Sequence, residues 1–179
     1  NNDEFLNIYA AAIKNNEVLH ITEKHKLISP ILLDFDFRFN INESLERLYN
    51  YDNILEILNI YTTHLDNYVD CNNYNIYILE KNNPSVFKDN IGKDGIHIII
   101  PEIVTKPSIQ YIIREKCMKD MDKIFKDIGF TNTVDDIFDE CVIEKNNWLM
   151  HGSSKPDKEP YKVTKIYNYN NNCITEVKN

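Results

Sequence analysis

Glycine and cysteine are both scarce in this 179-residue chain, at four each. The cysteines Cys71, Cys117, Cys141 and Cys173 are scattered and form no CxxC pair. That spacing argues against a zinc site or a disulfide scaffold, so a reducing, intracellular setting is expected. No apolar run approaches the roughly 20 residues of a membrane-crossing helix. The opening Asn1-Asn2-Asp3-Glu4 has no basic-then-apolar leader. It also lacks an initiator Met, so a fragment of a longer protein is expected. Neither GxxxxGK[ST] nor GxSxG occurs, which removes support for a P-loop ATPase or a serine hydrolase. Basic excess is missing too: 20 Lys and Arg face 28 Asp and Glu, for a net charge of -8. Bulk charge would not coat nucleic acid, but local basic clusters beside metal-binding carboxylates remain compatible with touching it.

What is present is core material. At 42% hydrophobic and 11% aromatic, the chain reads as one domain over residues 1–179, with a loose polar tail from Asn168. Helical spacing predicts helices over 2–15, 42–70 (as one helix or as two divided near Asp52-Asn53) and 108–128, the last stopped by Gly129. Strand-like segments are 17–22, 31–37, 74–79, 96–100 (ended by Pro101), 137–143 and 161–167. Residues 81–94 carry Asn, Pro and Gly and read as a loop. Irregular interspersion of strands and helices predicts an α+β fold with a mixed or antiparallel sheet flanked by helices.

Three motifs carry chemistry. Asp34 and Asp36, two apart on a strand, share a face at a spacing of ~6.5 Å, which suits a pair of divalent ions. The ordinary alternative is a solvated strand end. His97 lies inside an apolar strand, where a histidine is more often a core residue. Gly95, on the same face, leaves room for a phosphate, and Lys93 is close by. Asp139 follows an apolar pair as Asp34 does, and Gly152-Ser153-Ser154-Lys155 reads as a phosphate-binding turn or a solvated one. The lysines at 116, 119, 123 and 126 are interrupted by acids and read as a solvated helix face.

The order of these motifs resembles the archaeo-eukaryotic primase superfamily. The resemblance is closest to the primase domain of poxvirus-type primase-helicases of large nucleocytoplasmic DNA viruses. It rests on Leu33-Asp34-Phe35-Asp36-Phe37-Arg38-Phe39, Lys93-Asp94-Gly95-Ile96-His97 through Pro101, and Asn147-Trp148-Leu149-Met150-His151-Gly152-Ser153-Ser154-Lys155-Pro156. It implies a primase-type core with an RNA-recognition-like module and an N-terminal α/β unit. It implies template-directed nucleotidyl transfer, with Asp34, Asp36 and Asp139 holding two Mg²⁺ or Mn²⁺ ions and no zinc in this fragment. His97, Lys93, Gly95, Ser153, Ser154, Lys155 and Arg38 would bind the nucleotide, Arg38 facing either nucleotide or template. Implied partners are single-stranded DNA, nucleoside triphosphates and a helicase domain C-terminal in the parent chain, with a hexamer as one option. No membrane is implied; the implied location is the host cytoplasm or a viral replication site. Two departures stand out: Leu149 and Met150 occupy a place where relatives carry arginine, and Gly95 replaces serine. A DNA-binding module without turnover and a DxD nucleotide-sugar transferase are the competing functions.

Overall fold

The computed structural model describes residues 1–178. Helix α1 (Asn2–Lys14) and the two-residue strand β1 (Thr22–Glu23) lead into the long strand β2 (Ser29–Asn40). Then come α2 (Tyr51–Leu65), β3 (Asn73–Glu80), β4 (Ser85–Lys88), β5 (Ile91–Thr105) and α3 (Pro107–Ile128). Two single turns, α4 (Val134–Ile137) and α5 (Cys141–Glu144), precede β6 (Trp148–Leu149), β7 (Lys162–Asn170) and β8 (Cys173–Glu176). The main sheet has the order β2-β5-β3-β7-β8 with β4 on β5, and every pairing is antiparallel. Because β5 lies between β2 and β3, those two run parallel to each other and α2 makes a split β-α-β crossover. With α3 leading on to β7, this is the expected α+β core. β1 pairs with β6 as a separate small sheet.

Alternation along β2 makes the sheet two-faced. Phe35, Phe37 and Phe39 are 0–1% exposed and point to one face, leaving Asp34, Asp36 and Arg38 on the other. The phenylalanine face packs against Ile54, Ile57, Leu58, Tyr61 and Leu65 of α2 and Ile113, Cys117, Met121 and Phe125 of α3. Each such side chain contributes about 1.5–3 kcal/mol when fully buried. Both helices cover that face, so the charged face stays available for a site.

Several segments depart from the sequence reading. The helix expected over 42–70 is confined to α2. Asn50 caps it, exchanging hydrogen bonds with Asn53, and this box fixes the start at Tyr51. Residues 81–94 are not a loop: β4 and the start of β5 form a hairpin turning through Asp89, whose φ is 45°. Pro101 does not end its strand. The register with β2 jumps from Ile31↔Ile100 to Pro30↔Val104, so Pro101 sits in a bulge where no ladder amide is required. Residues 137–143 are parts of two helical turns, with Phe138 between them bridging to Phe35 of β2, and not a strand. Residues 168–176 continue β7 and turn back as β8.

The hairpin sits tightly against the end of β2. A Cβ on Gly92 would come within 2.5 Å of the Phe39 ring and 3.1 Å of Leu45 Cδ1. Gly92→Ala should therefore lower stability by roughly 1–3 kcal/mol through overpacking, read as a drop in denaturant midpoint. An unchanged midpoint would show that the hairpin does not bear on Phe39.

Candidate active site

The register of β2 with β5 builds the site rung by rung on the open face. Asp34 lies opposite His97, Asp36 opposite Gly95, and Arg38 opposite Lys93. Asp139 arrives from outside the sheet. Phe138 stacks on Phe35 at 4.7 Å, and the Asp139 amide donates to the Asp34 carbonyl at 2.9 Å. The neighbouring acids are engaged elsewhere. Asp135 pairs with Arg114 at 2.7 Å, Glu140 with Lys145 at 3.0 Å, and Asp136 accepts from the Thr133 hydroxyl at 2.7 Å. Asp139 is thus the acid of this segment tethered beside Asp34, although it does not sit on a strand.

Burial dominates the electrostatics. Asp34 is pushed up to about 7, first by burial and then by the charges of Asp36 and Asp139, with Lys93 and Lys155 opposing. His97 is pushed down to about 3, again first by burial and then by Lys81, Lys155 and Lys93. Their side chains approach to 3.4 Å, but these shifts make the contact a neutral imidazole against a half-titrated carboxyl at neutral pH, not an ion pair. His97 is clamped between Tyr161, at 3.5 Å between ring centres, and Trp148, at 4.6 Å. Gly95 is imposed by this packing. A Cβ there would lie 2.7 Å from the Phe35 carbonyl oxygen and 2.9 Å from the Tyr161 hydroxyl, so serine has no room.

The donor set suits a hard divalent ion. Three carboxylates are hard oxygen ligands, and buried Asp34 Oδ1 has no hydrogen-bond partner, as an atom awaiting a cation would. The cage is not closed. Asp36 is turned to Lys93 at 3.0 Å, and Asp139 Oδ1 accepts from the Cys141 amide at 2.8 Å. Among the described residues no three His, Cys, Asp or Glu side chains are gathered closely enough to hold an ion as they stand. Ligation therefore requires Asp36 and Asp139 to exchange those partners.

The remaining sequence-predicted residues divide. Ser153 is 1% exposed; its hydroxyl lies 2.9 Å from the Tyr9 hydroxyl and accepts from the Ile21 amide at 3.1 Å. Ser154 is also buried, and its amide donates to the Leu19 carbonyl at 2.9 Å. These two serines anchor the loop to the N-terminal unit and leave Lys155 as its exposed cation. Arg38 lies over the Phe87 ring, 4.4 Å from its centre. Two contributors, Lys81 and Tyr161, carried no sequence signal. Lys81 lies over the Tyr161 ring at 4.8 Å, with its pKa lowered by burial and by Lys93. A further buried network supports the site from behind: Arg47 bonds Asp94 and Glu80, each at 2.8 Å.

The opposed shifts predict a pH signature. Raised Asp34 stabilises the fold below about pH 4, an effect lost as pH rises through 7. Lowered His97 stabilises it above pH 6.5, an effect lost as pH falls towards 3. Asp34→Asn removes the first term alone. Without metal, the variant should be more stable than the parent at pH 8, by on the order of a few kcal/mol in unfolding free energy, and the gap should shrink at pH 5. An equal gap at both pH values contradicts the burial of that charge.

The family described as the C962R protein N-terminal AEP domain matches residues 1–167. A protein of Acanthamoeba polyphaga mimivirus, named as a candidate helicase, is 36% identical over 92% of this chain and 17% of its own length. Similarly named proteins of Invertebrate iridescent virus 6 and virus 3 are 29% and 26% identical over 96% and 94% of the chain. The chain spans about a fifth of the length of these curated relatives, at 17–20%. No helix among the described residues is long and apolar enough to cross a membrane. Motif order, split β-α-β core and family match converge: the chain belongs to the archaeo-eukaryotic primase family, in the N-terminal form found on C962R-type primase-helicases of large DNA viruses.

Proposed function

We propose that this chain is the catalytic domain of a template-directed DNA primase. It would make primers on single-stranded DNA for viral genome replication, with a helicase domain following it in the parent protein. The observation that carries this reading is a convergence on one open sheet face. Asp34 and Asp36, the tethered Asp139, His97 and the cations Lys81, Lys93 and Lys155 all meet there.

Asp34, Asp36 and Asp139 would hold Mg²⁺ or Mn²⁺. When bound, the ions would ease deprotonation of the attacking 3′-hydroxyl and offset charge on the α-phosphate and departing pyrophosphate. The chain's own residues do the positioning. Neutral His97, fixed by its two aromatic neighbours, directs a ring nitrogen to a phosphate oxygen without adding a buried charge. Lys93 exchanges Asp36 for phosphate once that carboxylate turns to metal. Lys155 meets the triphosphate from the loop held by Ser153 and Ser154. Lys81 supplies a cation beside His97, which offsets the arginine missing at Leu149 and Met150.

The direct assay combines single-stranded template, Mg²⁺ or Mn²⁺ and labelled nucleotides. Templated oligomers are expected from the parent chain. Template binding without product points instead to a DNA-binding module, and neither binding nor product points to a different transferase. Asp139→Asn should abolish synthesis while leaving metal-free stability equal or higher. Retention of synthesis by Asp139→Asn with loss in Asp135→Asn would relocate the third ligand. His97→Ala and Lys155→Ala should each raise the Michaelis constant for nucleotide by roughly tenfold or more, since a charge-assisted or buried contact contributes about 1.5–3 kcal/mol. Unchanged constants with a much lower melting temperature would return His97 to a packing role.

A further inference from the structure

Beyond the carboxylates, the open face carries a feature that core packing does not explain. Phe87, on β4, is 51% exposed. Ser85 pairs with Lys93, and Lys93 with Arg38; β4 bulges between Val86 and Lys88, and the unpaired Phe87 turns its ring to Arg38 on the site's side of the sheet. Arg38 is two residues beyond Asp36, about 6.5 Å along the strand, and its guanidinium lies 4.4 Å from the centre of the Phe87 ring. Lys88 Nζ is 5.8 Å from the same ring.

The hairpin that presents this ring is fixed. Gly92 lets it lie flat on Phe39. The Ile41 amide donates to the Asn90 carbonyl at 2.8 Å, and Asn90 Nδ2 donates back to the Ile41 carbonyl at 2.5 Å. The result is a pre-positioned, half-exposed aromatic, flanked by cations, one rung past the proposed metal ligands. Single-stranded nucleic acid is bound by this combination: a base stacks on the ring while nearby cations face its phosphates.

We propose that Phe87 is a stacking platform for a nucleobase of the single-stranded template, with Arg38 and Lys88 facing the adjoining phosphates. The inference rests on the nucleotidyl-transfer reading for the identity of the strand, but its test uses binding alone and does not depend on turnover.

Measure affinity by fluorescence anisotropy for a labelled oligothymidylate and for an abasic strand of equal length, with manganese-bound deoxynucleotide affinity measured in parallel. The parent chain should favour the base-containing strand. Phe87→Ala should lose about 5- to 100-fold in affinity for that strand. Its affinities for the abasic strand and for the nucleotide should not change. Phe87→Trp should retain the preference, and melting curves of both variants should match the parent. The proposal is overturned if Phe87→Ala binds both strands as the parent does, or loses both equally. It is also overturned if the parent shows no preference for bases, or if the loss falls on the nucleotide and not on the strand. Because no step involves synthesis, an inactive primase that still shows the base-dependent difference would separate failure of the catalytic reading from failure of this one.

Discussion

The antiparallel register of β2 with β5 is the constraint on which the rest depends. It runs without interruption from Ile31↔Ile100 to Asn40↔Ile91, and so fixes which side chains face each other on both sides of the sheet. A slip of one residue would send Asp34, Asp36 and Arg38 into the packed face and Phe35, Phe37 and Phe39 into solvent. The aromatic face resists this. Phe37 stacks on Phe130 at 4.2 Å and Phe35 on Phe138 at 4.7 Å. The same stacking that secures the register delivers Asp139, the residue after Phe138, to the back of Asp34. Core packing and site assembly are therefore a single event in this fold.

Holding that register concentrates unfavourable charge. Asp34 is half-buried beside two other acids, and one of its oxygens is fully buried without a hydrogen-bond partner. Lysines compensate in part: Lys93 neutralises Asp36 directly, while burial first, and then Lys81, Lys155 and Lys93, keep His97 neutral. The arrangement suits a site whose ligands, a divalent ion and a polyphosphate, each carry charge opposite to one of its halves. In the resting protein Asp36 and Lys93 satisfy each other; under the proposed function that pair would part, the carboxylate to the ion and the ammonium to phosphate.

Legibility from sequence followed the strength of local periodicity. β2 was readable because strict alternation of phenylalanine with charge admits one interpretation, and α3 because its stripe runs for six turns before Gly129. Residues 137–143 were not, because Ile137-Phe138 and Val142-Ile143 are short apolar pairs that fit a strand or two helical turns equally well. Asp139 nonetheless lies beside Asp34, because its position depends on Phe138 bridging to Phe35, not on a strand. Asn and Gly around 89–92 signalled a turn, but nothing local showed that flanking residues would pair on β5. Ser153 and Ser154 looked like phosphate donors because their partners, Tyr9, Leu19 and Ile21, lie more than a hundred residues away. Lys81 and Tyr161 join the site through cross-strand neighbours and have no signature of their own.

The central claim is that Asp34, Asp36 and Asp139 form one divalent-ion site although they are not gathered into a cage. Electron paramagnetic resonance of Mn²⁺ tests this most directly, because the free ion's signal falls as it binds. Titrating Mn²⁺ into the parent chain and into Asp34→Asn, Asp36→Asn and Asp139→Asn, with and without a non-hydrolysable nucleotide, should give binding in the parent that strengthens with nucleotide. Each substitution should weaken it by a comparable factor. Equal Mn²⁺ binding in all four proteins, or loss in the Asp34 and Asp36 variants with none for Asp139, would contradict the three-carboxylate site.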